Sequence, residues 1–215
     1  MTAHPAPEAA ARRLPCRRHR RPRCRGCGLH LERCLCASLP HVPLPFEVWL
    51  VQHAVERDRP TNTGRILHTI LPGSRILPYA LRGQAFDPAP FTDAGYAPLL
   101  LFPAPGAPVL TAADLDPGPG RRRAVVLLDG TWAQGSHMRR RITALRDVPC
   151  RRLPDGAPGR WRLRTPHTPG LLCTLEAGVR LVRLAGLHEA AARMDAAQDR
   201  IMDAMLAMKG RRSDS

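Results

Sequence analysis

Lysine is almost absent from this chain: of its 33 basic residues only Lys209 is a lysine, and the others are arginine. That absence removes the P-loop NTPases, whose Gly-Lys-Ser turn needs a lysine directly after a strand. No G-x-G-x-x-G follows any strand-like run, so a dinucleotide-binding Rossmann domain is excluded as well. There is no G-x-S-x-G elbow for a hydrolase serine and no H-E-x-x-H for a hydrolytic metal. No apolar run approaches the roughly 18 residues of a membrane span. The N-terminal MTAHPAPEAAARRLPCRRHRRPR is basic but lacks the apolar core of a secretory signal. The reading is a cytoplasmic protein with no membrane partner, and no internal repeat or protein partner is legible.

The charge is one-sided. Thirty-three basic residues face 18 acidic ones, giving a net charge of +15 and a pI near 11.2. Such an excess is self-repelling in the free protein and gains counterion release on a phosphate backbone, so it points to nucleic acid. With 215 residues the chain has room for one domain of ordinary size and a small appendage. Residues 1–22, rich in Pro, Ala and Arg and without apolar periodicity, read as a disordered basic tail.

CRGCGLHLERCLC follows, with Cys24, Cys27, Cys34 and Cys36, four of the seven cysteines within thirteen residues. In a reducing compartment this density argues for metal rather than disulfides. A C-x2-C turn aims two thiolates at one ion and a second close pair completes a tetrahedral S4 shell, which suits Zn2+; an oxidised pair or a redox C-x2-C is the alternative. Residues 23–42 are therefore expected to form a zinc-binding module. Cys16, Cys150 and Cys173 read as unpaired thiols.

The remainder, residues 43–209, alternates strand and helix signals. FEVWLVQ is a strand run, and Asn62 or Thr61 can cap a helix with Ile66, Leu67, Ile70 and Leu71 on one face, Gly64 permitting a close approach. LLLF ends at Pro103 and AVVLLD at Asp129. RWRLR reads as a short strand, and amphipathic helices follow over LLCTLEAGVRLVRLAG and from His188 to Lys209. The alternation implies an α/β fold with a mostly parallel sheet, in which ligands lie beyond the carboxyl ends of the strands. Three segments fall there: His53 to Arg65, Pro103 with its loop, and Asp129 to Trp132. His53 and Glu56 form a second acid/base candidate behind Asp129.

These segments together resemble a known family. The cysteine cluster, TNTGR (Thr61 to Arg65), LLLFP (Leu99 to Pro103), LLDGTW (Leu127 to Trp132) and TLEA (Thr174 to Ala177) occur in the order of the DTW-domain proteins, tRNA-uridine aminocarboxypropyltransferases, over about residues 22 to 208. One departure is Gly135-Ser136-His137, which interrupts the start of the helix after Trp132. The resemblance implies a SPOUT-like α/β domain, helices on both faces and a knotted cofactor site, an exception to the rule that chains avoid knots. It implies S-adenosylmethionine as donor and transfer of its 3-amino-3-carboxypropyl group to N3 of a tRNA uridine, releasing methylthioadenosine.

Under that resemblance Asp129 either takes the N3 proton or binds the donor's ammonium. Gly130 lets backbone approach a ligand, Thr131 caps the next helix, and Trp132 offers a stacking face or a core indole. Leu101, Phe102 and Pro103 shape the adenosine pocket, with Thr174 beside it, where Thr174 and Glu176 also serve as a helix start. Thr61, Asn62, Thr63 and Arg65 bind cofactor or tRNA phosphate, or merely cap a helix. Arg139, Arg140 and Arg141, and Arg164 with Arg160 and Arg162 on one strand face, are expected to meet RNA phosphates. Two other classes fit parts of the pattern: a SPOUT-type RNA methyltransferase, and a non-catalytic zinc-containing RNA-binding module.

Overall fold

A computed structural model of the chain describes residues 21–164, 171–208 and 210. The basic tail expected over residues 1–22 lies outside these as far as residue 20, as do Cys16 and Lys209. Strands β1 (Glu47–His53), β2 (Ser74–Tyr79), β3 (Tyr96–Leu101), β4 (Arg122–Asp129) and β5 (Cys150–Arg151) form one sheet in the order β2-β1-β4-β3-β5. Every neighbouring pair is parallel. Helices α1 (Ala54–Arg57), α2 (Thr63–Ile70), α3 (Ala89–Thr92), α4 (Trp132–Arg141), α5 (Thr174–Leu184) and α6 (His188–Met208) connect and cover it.

The central strands β1 and β4 are buried along nearly their whole length. Continuous rather than alternating apolar runs such as VWLV and AVVLL require this, because both faces of a parallel sheet are covered. On one face Val48, Leu50, Leu99, Val125 and Leu127 pack against Ile66, Leu67 and Ile70 of α2, Leu175 and Val179 of α5, and Met194, Ile201 and Met205 of α6. On the other, Trp49, Val51, Leu100 and Val126 meet Met138 of α4 with Ile142 and Leu145 behind it. Cys24, Cys27 and Leu29 join the first of these clusters, so the cysteine segment packs on the sheet domain.

The α/β fold with a mostly parallel sheet and helices on both faces thus forms as expected, with two differences. The SRILPY strand β2 at the sheet edge was not anticipated; its Pro78 is tolerated because an edge strand needs fewer ladder hydrogen bonds. RWRLR is not a strand but a turn. Its backbone N–H groups at Arg160 and Trp161 donate to Glu176 Oε1 rather than to a neighbouring strand. Its arginines reach sideways: Arg160 pairs with Asp195 and Asp199 at 2.9 Å each and Arg162 with Asp203 at 3.4 Å, carboxylates spaced one turn apart along α6.

Helices α2 and α5 cross where a Cβ on Gly178 would lie 2.4 Å from Leu67 Cδ1. Gly178→Ala is expected to destabilise by about 1–3 kcal/mol through overpacking, and Leu67→Ala by about 2–5 kcal/mol through the void it leaves. Because each change relieves the other, denaturant melts of the double variant should recover at least about 0.5 kcal/mol relative to the sum. Strictly additive losses would show that the two helices do not touch there.

Candidate active site

The strands end on one edge of the sheet, where the pairing sets Gln52 of β1 level with Asp129 of β4. Asp129 is only 2% exposed. Its Oδ2 accepts hydrogen bonds from Gln52 Nε2 at 2.9 Å and Asn62 Nδ2 at 2.8 Å, and its Oδ1 accepts from Thr174 Oγ1 at 2.8 Å. A carboxylate withdrawn from water needs such donors in place of its hydration. Here they come from the end of β1, the cap of α2 and the first residue of α5.

Asn62 works in two directions. Its Oδ1 accepts from the Arg65 backbone N–H at 2.7 Å, capping α2 as its position before the apolar run suggested, while Nδ2 donates to Asp129 and, at 3.3 Å, to Glu56. Gly64 allows this crowding: a Cβ there would lie 2.4 Å from the Asp129 carboxyl carbon. Glu56, fully buried, pairs with Arg164 at 2.5 Å and with Arg59 at 3.6 Å, and Arg164 Nε donates to Thr61 Oγ1 at 3.3 Å. An unbroken run of polar contacts therefore joins Arg164, Glu56, Asn62, Asp129 and Thr174. His53 and Glu56 do not combine as an acid/base pair: Glu56 faces inward, and His53 Nδ1 accepts the Val55 N–H at 3.3 Å at the start of α1. Burial lowers the His53 pKa, against the opposing attraction of Glu56.

A cavity of about 660 Å³ opens beside Asp129. Leu101, Phe102, Pro103, Asp129, Gly130, Thr131 and Thr174, expected at a cofactor, all line it, with Trp132, Thr63 and Arg164. Trp132 is half-buried against Phe102, ring centroids 5.9 Å apart, and belongs to the cavity wall rather than to the core. Thr131 caps α4, accepting from Gln134 N at 3.3 Å while its own N–H donates to Gln134 Oε1 at 2.7 Å. The helix runs unbroken through Gly135-Ser136-His137; Gly135 is where it passes Phe102, which a Cβ would meet at 3.2 Å. The opposite wall was not anticipated. It comes from the segment after β5, with Arg152, Leu153, Pro154, Gly159 and Trp161, and from Arg180 of α5. Gln52 also escaped notice, although a polar residue closing an apolar strand run is the same signal that marks Asp129.

The arginines lie in different settings. Arg59, Arg152, Arg164 and Arg180 border the cavity. Arg139, Arg140 and Arg141 do not: α4 leaves the site at Trp132 and carries them about 10–14 Å along its axis at 1.5 Å per residue. Arg160 and Arg162 are occupied by α6. Asn62 and Arg65, expected among the substrate-binding groups, are 1% and 7% exposed and are turned inward, so they brace the site from within.

The sulfurs of Cys24, Cys27, Cys34 and Cys36 all lie within 4.8 Å of one another. Cys24 is 3.5 Å from Cys36 and 3.4 Å from Cys34, and Cys27 is 3.8 Å from Cys34, too far for disulfides. Four sulfurs about 2.3 Å from a tetrahedral Zn2+ stand about 3.8 Å apart, so the donor set and its spacing fit such an ion. Hydrogen bonding within the cluster draws Cys24 toward the thiolate and pushes Cys27 up to about 11.

A profile of the DTW domain matches residues 21–212. The chain is 29% identical over 167 residues to a tRNA-uridine aminocarboxypropyltransferase 2 of Drosophila melanogaster, covering 74% of this chain and 64% of that protein. To the protein of the same name from Mus musculus it is 29% identical over 166 residues, covering 73% of this chain and 54% of that one. The match thus spans less than two thirds of the length of these relatives. Among solved structures, that of the SAM-dependent rRNA:acp-transferase Tsr3 from Vulcanisaeta distributa superposes with a TM-score of 0.51 at 16% identity, over 77% of this chain and 81% of that one, a likeness of fold.

Gly64→Ala tests the packing around Asp129. In an ordinary helix the change would stabilise by about 1 kcal/mol. Here the methyl group is expected to displace the carboxylate from its donors and to destabilise by about 1–3 kcal/mol. Thermal melts showing a gain would mean that Asp129 is not held against α2.

Proposed function

The chain belongs to the DTW-domain family, and from that premise we propose that it is a tRNA-uridine aminocarboxypropyltransferase using S-adenosylmethionine. One observation carries the reading. TNTGR, LLDGTW and TLEA, far apart in sequence, converge on the Asp129 carboxylate, and with LLLFP they border one cavity. When bound, the donor supplies an electrophilic Cγ and a thioether leaving group, so that uridine N3 gains the aminocarboxypropyl chain and loses its proton. The chain's task is positioning rather than bond activation.

Leu101, Phe102 and Pro103 wall the adenosine side, and Gly130 brings backbone close to it. Trp132, tilted against Phe102, keeps ring surface toward the cavity for stacking uracil or adenine, worth on the order of 1–3 kcal/mol per base. Asp129 acts as an anchor for the donor's ammonium and as the fixed point for Thr174. Three hydrogen bonds fix its oxygens in place, which leaves about one of the roughly four acceptor sites of a carboxylate for the ammonium. Arg152 and Arg164 at the cavity rim are suited to tRNA phosphate. Arg152 is the more readily released, since its partner Asp155 is 93% exposed and a surface pair is weak. Zn2+ held by Cys24, Cys27, Cys34 and Cys36 fixes the N-terminal segment on α2.

Donor labelled separately in its methyl and carboxyl groups tests the reaction. Carboxyl label alone is expected in tRNA, with methylthioadenosine released; methyl label would identify a methyltransferase, and neither label a binding module. Asp129→Asn should lower turnover on the order of a hundredfold by misplacing the reactants, with a stability loss of about 1–3 kcal/mol for the unsatisfied donors. Full turnover in that variant would remove Asp129 from the site. Metal analysis is expected to find one zinc per chain, lost when the four cysteines become serine; zinc-free purified protein would reject the metal.

A further inference from the structure

Arg65 is the charged residue of TNTGR, and the proposed chemistry leaves it unused. It is 93% buried, being 7% exposed. Nη2 donates to the carbonyl oxygens of Arg59 at 2.5 Å and Pro60 at 3.2 Å. Its Nε and Nη1 are buried with no hydrogen-bond partner among the described residues. A guanidinium in that state is strongly unfavourable unless a compensating charge lies close by.

The cysteine segment is its neighbour. A Cβ on Gly28 would lie 3.2 Å from Arg65 Nη2 and 2.1 Å from the Pro60 carbonyl oxygen, and Gly28 has the positive φ of +76° that lets the chain turn there. Burial pushes the Arg65 pKa down, and the charges that oppose this most are Cys24 and Cys27, ahead of Asp129. Resting on the reading that the four cysteines hold Zn2+, the charge balance follows. One ion of charge 2+ among four thiolates leaves a net charge of 2−, and among the described residues Arg65 is the arginine buried beside the cysteine segment.

We propose that Arg65 is the counter-charge of the metal-loaded cysteine cluster and that, through the Arg59 and Pro60 carbonyls, it makes the geometry around Asp129 depend on the metal. The route is short. Arg65 holds the carbonyls of residues 59 and 60, and its backbone N–H holds Asn62 Oδ1 at 2.7 Å. Asn62 in turn donates to Asp129. Without the ion the thiolates take up protons and the cluster falls below its net charge of 2−, the guanidinium loses part of its compensation, and the turn that presents Asn62 loses part of its brace.

Three measurements on the full chain test this. Competition for zinc with a chromophoric chelator should show Arg65→Gln binding the metal about 10–100-fold more weakly than the unmodified protein, the range typical of groups that orient metal ligands. Arg65→Lys keeps the charge but not the fork. It should retain most of the zinc affinity yet lose S-adenosylmethionine affinity, read by calorimetry. Removing zinc from the unmodified protein should reduce hydrogen-exchange protection at residues 62–65, a readout that remains if Arg65→Gln does not fold. Equal zinc affinity in a folded Arg65→Gln protein, or unchanged protection after metal removal, would overturn the proposal. Absence of zinc from the unmodified protein would reject the metal site itself, and Arg65 with it, without touching the transferase reading.

Discussion

A single carboxylate at the end of the central strand must be kept satisfied away from water, and the arrangement around the cavity follows from that requirement. Asp129 is 2% exposed and takes its hydrogen bonds from Gln52, Asn62 and Thr174. Each donor belongs to a different element, so a buried charge converts three separate packing contacts into one geometry. Asn62 can serve only if α2 starts where it does, and α2 can come this close only because Gly64 lacks a side chain. Thr174 can serve only if α5 begins beside β4. The TLEA segment secures this through Glu176, which accepts the Cys173 N–H at 2.8 Å and the Trp161 N–H at 3.0 Å.

Much of this was legible in the sequence because the signals are local. Apolar runs ending in Asp129 and Pro103 mark buried parallel strands and their carboxyl ends. Asn62 before an amphipathic run marks a cap, and Cys24, Cys27, Cys34 and Cys36 declare themselves by spacing alone. What was not legible depends on where a side chain turns after the chain has folded. Arg65 and Arg164 look alike in sequence, yet one is buried on the inner side of α2 and the other borders the cavity. Arg139 to Arg141 follow the site closely along the chain but not in space, since a helix moves its residues away at a fixed rise. RWRLR has the alternation of a strand, but its backbone N–H groups are taken up by Glu176 of α5 and its arginines by carboxylates on α6 about 35 residues or more later.

The positive charge therefore has internal structure. A net +15 suggests a uniformly basic surface, but several arginines are occupied within the fold. Arg160 and Arg162 are engaged by α6, Arg183 pairs with Asp195 at 2.7 Å, and Arg75 with Glu47 at 2.7 Å. Those bordering the cavity, with Arg140 and Arg141 exposed at the far end of α4, are the ones whose placement differs in kind. Composition points to a polyanionic partner, and only the fold separates the arginines that face a cavity from those that hold helices together.

The ladder of Asp195, Asp199 and Asp203 beneath Arg160 and Arg162 has a thermodynamic consequence. These pairs are half-exposed, so added salt screens them over the same concentration range in which it competes for phosphate. The segment they hold carries Trp161 and Arg164 into the cavity wall. Ionic strength would thus act twice on any polyanion binding here, once on the ion atmosphere of that polyanion and once on the electrostatic fastening of the cavity wall. For a polyanion held at the cavity, the slope of log affinity against log salt would be a sum of released counterions and loosened intramolecular pairs, steeper than the counterions alone would give.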